Sequence, residues 1–153
     1  MGKLIPDQCD GLARLQAVVH DLRSPEGCPW DREQTHTSLT SNMLEEAYEA
    51  VEALRSGQPE HMKEELGDVL LQIFLHAEIA SETQTFDLQD IAHGIAEKLI
   101  RRHPHVYGDS EAATTEAVLT QWVVRPDAAR RLPAATQPEH RGQGPMIVCL
   151  DTS

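Results

Sequence analysis

Four carboxylates carry the strongest chemical signal in the sequence: Glu46 and Glu49, then Glu65 and Asp68. Each pair has i,i+3 spacing, which places both side chains on one face of a helix. The pairs fall in two predicted helices, Met43–Ser56 and Glu60–Ser81, separated by Ser56-Gly57-Gln58-Pro59. So short a break predicts an antiparallel hairpin with the two pairs facing each other near its middle. Four carboxylates brought together in a partly buried seam repel one another and lose hydration, so they must take up protons or bind a cation. An all-oxygen donor set with no nearby cysteine favours Mg²⁺, with Mn²⁺ as a substitute, over Zn²⁺.

The elements that position these residues follow from apolar spacing. In the second helix Leu66, Val69, Leu70, Ile73, Phe74 and Ala77 make a broad apolar face at about 100° per residue, and Leu71, Leu75 and Ile79 extend it. In the first, Met43, Leu44, Ala47, Tyr48, Val51 and Leu54 read as the core stripe. Glu46 and Glu49 lie on its flank beside Ala50 and Ala53, while Glu45, Glu52, Glu60 and Glu64 read as solvated surface.

Upstream, Leu12, Leu15, Val18, Val19 and Leu22 recur at helical spacing and predict a helix over Gly11–Arg23, with His20 on its surface. Ser24-Pro25-Glu26-Gly27-Cys28-Pro29 must be a loop. It delivers Trp30, which beside its polar neighbours either stacks on a base or caps the core. Ser38 to Ser41 offer capping hydroxyls ahead of the carboxylate helix. Glu33 and His36 form a lone Glu-x-x-His; a di-iron carboxylate bundle needs two, which excludes that class. Downstream, Asp87 and Asp90 resemble a capping box opening a third long helix with apolar Leu88, Ile91, Ala92, Ile95 and Leu99.

That helix ends in Lys98, Arg101, Arg102 and His103, with His105 beyond Pro104. Complementing the helix C-terminal dipole accounts for one or two of these charges, and the density points to a phosphate clamp. A last short helix is expected at Glu111–Trp122, capped by Asp109 or Ser110. The chain therefore divides into a helical catalytic domain, 1–122, and an irregular tail, 123–153, in which Met146–Leu150 is the one apolar run.

Composition bounds the function. The chain has 153 residues, 40% hydrophobic but 4% aromatic, so its core must be aliphatic, as in helical bundles. A formal charge of −12 argues against a nucleic-acid polymer or an anionic membrane as partner. Cys9, Cys28 and Cys149 are odd in number and widely spaced, which is no disulfide framework. With no leader and no apolar run of membrane length, a cytoplasmic protein is expected.

Four stretches together resemble the MazG-type nucleoside triphosphate pyrophosphohydrolases: LRSPEGCPWDREQTHTSL (22–39), LEEAYEAVEAL (44–54), EELGDVLLQIFLHA (64–77) and KLIRRHPHVYGD (98–109). They cover about residues 12–122. The family's Glu-x-x-Glu, spacer, Glu-x-x-Asp signature is met by Glu46, Glu49, Glu65 and Asp68, with fifteen residues intervening. The resemblance implies an all-α fold whose hairpins pack together in a homodimer or a dimer of dimers, with Mg²⁺ among the carboxylates. It implies hydrolysis between the α and β phosphates to a nucleoside monophosphate and pyrophosphate. A metal-bound water would then need a carboxylate base, for which Glu46 and Glu49 are the candidates. The resemblance further implies that Lys98 and Arg102 contact the phosphates with Arg101 supporting them, that Trp122 lies near the nucleotide, and that Glu45 supports the metal from behind; Trp30 joins the candidate substrate-binding residues through its own stacking reading. Narrower relatives are the alternatives within the class: phosphoribosyl-ATP, dUTP or dCTP pyrophosphatases. Outside it stands a non-catalytic nucleotide-binding bundle. The sequence departs from the family at Pro126, where a nucleotide-contacting Lys is normal and where the proline interrupts the last helix.

Overall fold

A computed structural model describes residues 10–109 and 114–123, with side chains placed as far as Leu119. Every regular element among them is a helix, in the order α1 (Gly11–Arg23), α2 (Pro29–Glu33), α3 (Thr40–Ser56), α4 (Pro59–Glu82), α5 (Leu88–Arg102), α6 (Pro104–Tyr107) and α7 (Thr115–Val123). The all-α architecture read from the sequence therefore holds. The chain divides into two compact units, Met1–Ile95 and Ala96–Ser153.

In the first unit α3 and α4 form the antiparallel hairpin. Gly57 closes α3 in the left-handed region at φ 68°, a conformation that other residues adopt at a cost, and Pro59 opens α4 at its first position. α1 packs against the C-terminal half of α4, which is where the core sits. Val19 of α1, Leu39, and Phe74, Leu75 and Ile79 of α4 are buried, with Leu15, Leu70, Leu71 and Leu88 packed against them. The start of α5 is fixed by the expected capping box. Asp87 N donates to Asp90 Oδ2 at 3.0 Å and Asp90 N to Asp87 Oδ1 at 2.9 Å.

The burial of α3 inverts the sequence reading. Leu44, Tyr48, Val51 and Leu54, expected as its core stripe, are 41–58% exposed, while Ala50 and Ala53 are buried. Small side chains let the two helix backbones approach closely, so the alanine face turns inward and the bulkier residues are left outward. Along α4, Phe74, Leu75, Ala77 and Ile79 are buried as expected, but Leu66, near the hairpin turn, is 48% exposed. The hydroxyls of Ser38 and Thr40 do not cap α3. Its N-cap is Leu39, without a side-chain bond, because Ser38 Oγ is spent on Gln34 Oε1 (2.8 Å) and Thr40 Oγ1 on the Thr37 carbonyl (2.7 Å).

Arg23, which the periodicity leaves at the end of α1, is the tie that holds the first unit's loop. Its side chain is 4% exposed and forks onto Glu82, Nε to Oε1 at 2.7 Å and Nη2 to Oε2 at 2.8 Å. Nη1 also donates to the carbonyls of Asp31 and Gln34. One guanidinium thus joins α1, α2 and the end of α4, a use of its rigid donor fork that lysine cannot reproduce. The loop before α2 turns back so tightly that a Cβ on Gly27 would lie 2.2 Å from the Leu22 carbonyl oxygen, so only glycine fits. On the other side of α4, His36 and His76 stack at 5.1 Å and 7° with Nδ1 atoms 2.8 Å apart, and Phe86 extends the stack at 6.5 Å.

In the second unit, α5 ends with the His103 backbone N–H bonded to the Leu99 carbonyl, and Pro104 opens the four-residue α6. α7 begins at Thr115, with the Ala117 N–H on Thr114 Oγ1 at 3.2 Å. Residues 110–113, the expected tail with Pro126 and Met146–Leu150, and the Trp122 side chain lie outside the described residues.

Candidate functional site

The hairpin brings Glu46, Glu49 and Glu65 together. Each offers a carboxylate oxygen, and the three lie within 4.8 Å of one another. The cause is local: i,i+3 spacing sets Glu46 and Glu49 on one side of α3, and the inward turn of Ala50 and Ala53 carries that side toward α4. Asp68 is outside the three-oxygen group, yet it is the strongest neighbouring charge on Glu46. Glu46, Glu65 and Asp68 are half-buried, and Glu49 is exposed. The seam is therefore open on the Glu49 side.

Electrostatics mark the cluster as well. Burial, followed by the charges of Asp68, Glu49, Glu45 and Glu65, raises the Glu46 carboxyl above its usual 4.5. Glu46 thus bears the repulsion of the whole group. Glu45 and Glu52 are exposed, in accord with the sequence reading. A donor set of carboxylate oxygens at this separation suits a hard divalent cation such as Mg²⁺ or Mn²⁺, with open positions left for water or a ligand. At the edge of the group His61 Nε2 lies 3.3 Å from Glu65 Oε1, a contact the sequence reading missed although its i,i+4 spacing was visible.

Trp30 is 55% exposed on α2, so it does not cap the core. α2 itself is held by Arg23 and by the Arg32 guanidinium, which donates to the Pro25 carbonyl at 2.7 Å. In the second unit Lys98 and Arg102 are half-buried and Arg101 is exposed, all on the last turns of α5. His103 Nδ1 lies 2.6 Å from the Leu99 carbonyl, and its ring tilts at 54° to that of His105, 5.6 Å away. Cys28, at the N-cap of α2, is a free, half-buried thiol. No described helix is long and apolar enough to cross a membrane.

Comparison with known proteins follows the same segment. Residues 34–107 match the family described as the MazG nucleotide pyrophosphohydrolase domain, a span that contains all four carboxylates, Lys98 and Arg102. The chain is 55% identical over 96 residues to the nucleoside triphosphate pyrophosphohydrolase/pyrophosphatase MazG of Thermotoga maritima, covering 63% of this chain and 38% of that protein. It is 48% identical over 108 residues to the uncharacterized protein YabN of Bacillus subtilis, 71% of this chain and 22% of that one. With the nucleoside triphosphate pyrophosphohydrolase of Escherichia coli K12 it shares 44% over 110 residues, 71% and 42% of the two chains. The matched segment thus spans less than half the length of each of these relatives. Its acidic hairpin lies wholly within the matched span, and the chain belongs to the MazG nucleotide pyrophosphohydrolase family.

Proposed function

We propose that the chain is a Mg²⁺-dependent nucleoside triphosphate pyrophosphohydrolase, cleaving between the α and β phosphates to release a nucleoside monophosphate and pyrophosphate. The observation that carries this reading is the convergence of Glu46, Glu49 and Glu65 within the segment that matches the MazG domain. Those three residues, with Asp68, would hold the metal. When bound, Mg²⁺ neutralises phosphate oxygens and acidifies a water for in-line attack on the α-phosphorus.

The chain's own residues do the rest. Glu46 is the general base we assign on position, as the half-buried member of the α3 pair with Glu49 and Glu65 gathered beside it. Glu49 remains a ligand, and exposed Glu45 supports the group electrostatically. Lys98 and Arg102, with Arg101 beside them, are assigned to the phosphates by resemblance alone, where their charge would offset that of the transferred and leaving groups. Trp30 supplies a stacking face for the base, and Trp122 is assigned to the nucleotide by resemblance alone. The catalytic domain is residues 1–122.

The outward face of α3, with Leu44, Tyr48, Val51 and Leu54 exposed, supports a homodimer or dimer of dimers in which a second copy covers it. The test is Glu46→Gln. It retains shape, removes the basic oxygen, and relieves repulsion within the cluster. Turnover falls at least 100-fold while the melting temperature holds or rises; near-normal turnover would remove Glu46 from the mechanism.

A further inference from the structure

His36 and His76 meet across 40 residues of chain, at a hydrogen bond that the proposed hydrolysis does not use. Their Nδ1 atoms are 2.8 Å apart and their rings lie within 7° of parallel. The 5.1 Å between ring centroids is that contact plus one ring radius at each end, so the two nitrogens point at each other. Two imidazoles bond in this way only when one Nδ1 carries a proton and the other is bare. Burial assigns the roles. His36 is exposed in the turn that leads into α3, whereas His76 is half-buried on α4. Burial, and then the charge of His36, holds His76 below its usual 6.5, so an added proton goes to His36. A charged imidazole is a donor at both nitrogens, and the bond therefore runs from His36 to His76.

His36 is carried on a compact turn. Thr35 N donates to Ser38 Oγ at 2.9 Å, Ser38 N to Thr35 Oγ1 at 3.1 Å, and the Leu39 N–H to the Thr35 carbonyl at 3.2 Å. That turn joins α2, which bears Trp30, to α3, which bears Glu46 and Glu49. Phe86 lies against His36 from the segment before α5, at 6.5 Å. The carboxylates of the surrounding elements are engaged elsewhere: Glu78 with His20, Glu82 with Arg23 and Asp87 with the Asp90 N–H. Glu33, at the end of α2, is exposed, and among the described residues His36 is the one charge that shifts His76. The first proton added to the pair leaves a charge-assisted bond, whereas a second, on His76 Nδ1, sets N–H against N–H. We propose that His36 and His76 form a proton-keyed latch: the Nδ1–H of His36, donated to the bare Nδ1 of His76, pins the turn before α3 to α4, and a second proton on the pair releases it.

The test is histidine ¹⁵N NMR of the full chain, with amide hydrogen exchange measured in parallel from pH 8 downward. Before the second proton binds, His36 Nδ1 carries hydrogen, His76 Nδ1 is bare, and a scalar coupling joins the two nitrogens. When His76 Nδ1 gains its proton the coupling vanishes. At that step the protection factor of the Leu39 N–H falls about 3- to 10-fold relative to the amides of α1, the fold-change of one net hydrogen bond. His36→Phe, at an exposed position, keeps a ring but no nitrogen; its Leu39 protection is already low at pH 8 and shows no further step. Nε2–H tautomers on both rings, or no coupling between the nitrogens, would overturn the latch. So would a Leu39 protection factor indifferent to the titration of His76, or an equal step in His36→Phe.

Discussion

Replacing Arg23 by methionine is the sharpest test of how the loop that carries Trp30 is held. The substitution keeps an unbranched stem of similar volume but deletes four hydrogen bonds: two to Glu82 and one each to the Asp31 and Gln34 carbonyls. Breaking a buried ion pair costs about 3–5 kcal/mol when the orphaned charge stays dry. Here the Glu82 side chain is 41% exposed and regains water, so the lower end applies, about 3 kcal/mol. For a helical domain of this size that lowers the melting temperature by about 10–20 °C. The acid limb changes as well. Arg23 holds the Glu82 carboxyl below its ordinary 4.5, so this stabilisation is complete above pH 4.5 and fades as the pH falls through the lowered folded value. Thermal melts of parent and Arg23→Met between pH 3 and 7 measure both effects. In a Trp122→Phe background, Trp30 fluorescence also reports the loosened α2. A destabilisation under about 1 kcal/mol would show that the fork is incidental and that packing alone holds the loop.

Other outcomes follow from the same structure. Because Glu46 is raised, its ionisation in the folded chain is opposed, so metal-free stability is lost as the pH rises past 4.5 and through the raised folded value; added Mg²⁺ restores it, measured by melts with and without chelator. His76 is lowered from 6.5, first by burial and then by His36, so the fold favours its neutral form. Stability therefore declines as the pH falls below 6.5, and His76→Phe, which keeps the stack, flattens that part of the profile. Tyr48→Glu on the outward face of α3 disperses the proposed dimer, read as sedimentation at the monomer mass; an unchanged mass would place the subunit contact elsewhere.

The sequence disclosed what depends on near neighbours. The Asp87–Asp90 capping box and the glycine-proline break between α3 and α4 are local signals that stand in the structure as expected, and the i,i+3 carboxylate spacing brings together Glu46, Glu49 and Glu65 but not Asp68. What depends on distant partners was hidden. Arg23 at a helix C-terminus looks like ordinary dipole complementation, because Glu82 is 59 residues away. The His36–His76 stack spans 40 residues and has no motif. The α3 face was misassigned because amphipathicity shows that an apolar stripe exists but not whether it meets its own chain or another. The alanines opposite it decided the packing. The short helices α2 and α6 escaped because five and four residues are too few to show a period.

The central claim is tested most directly by product analysis in ¹⁸O-labelled water, with the purified chain, Mg²⁺ and each of the eight common ribo- and deoxyribonucleoside triphosphates. Hydrolysis at the α-phosphorus predicts monophosphate plus pyrophosphate, with the label on the monophosphate and none formed after chelation. Diphosphate plus orthophosphate, or label in pyrophosphate, would contradict the assigned point of attack.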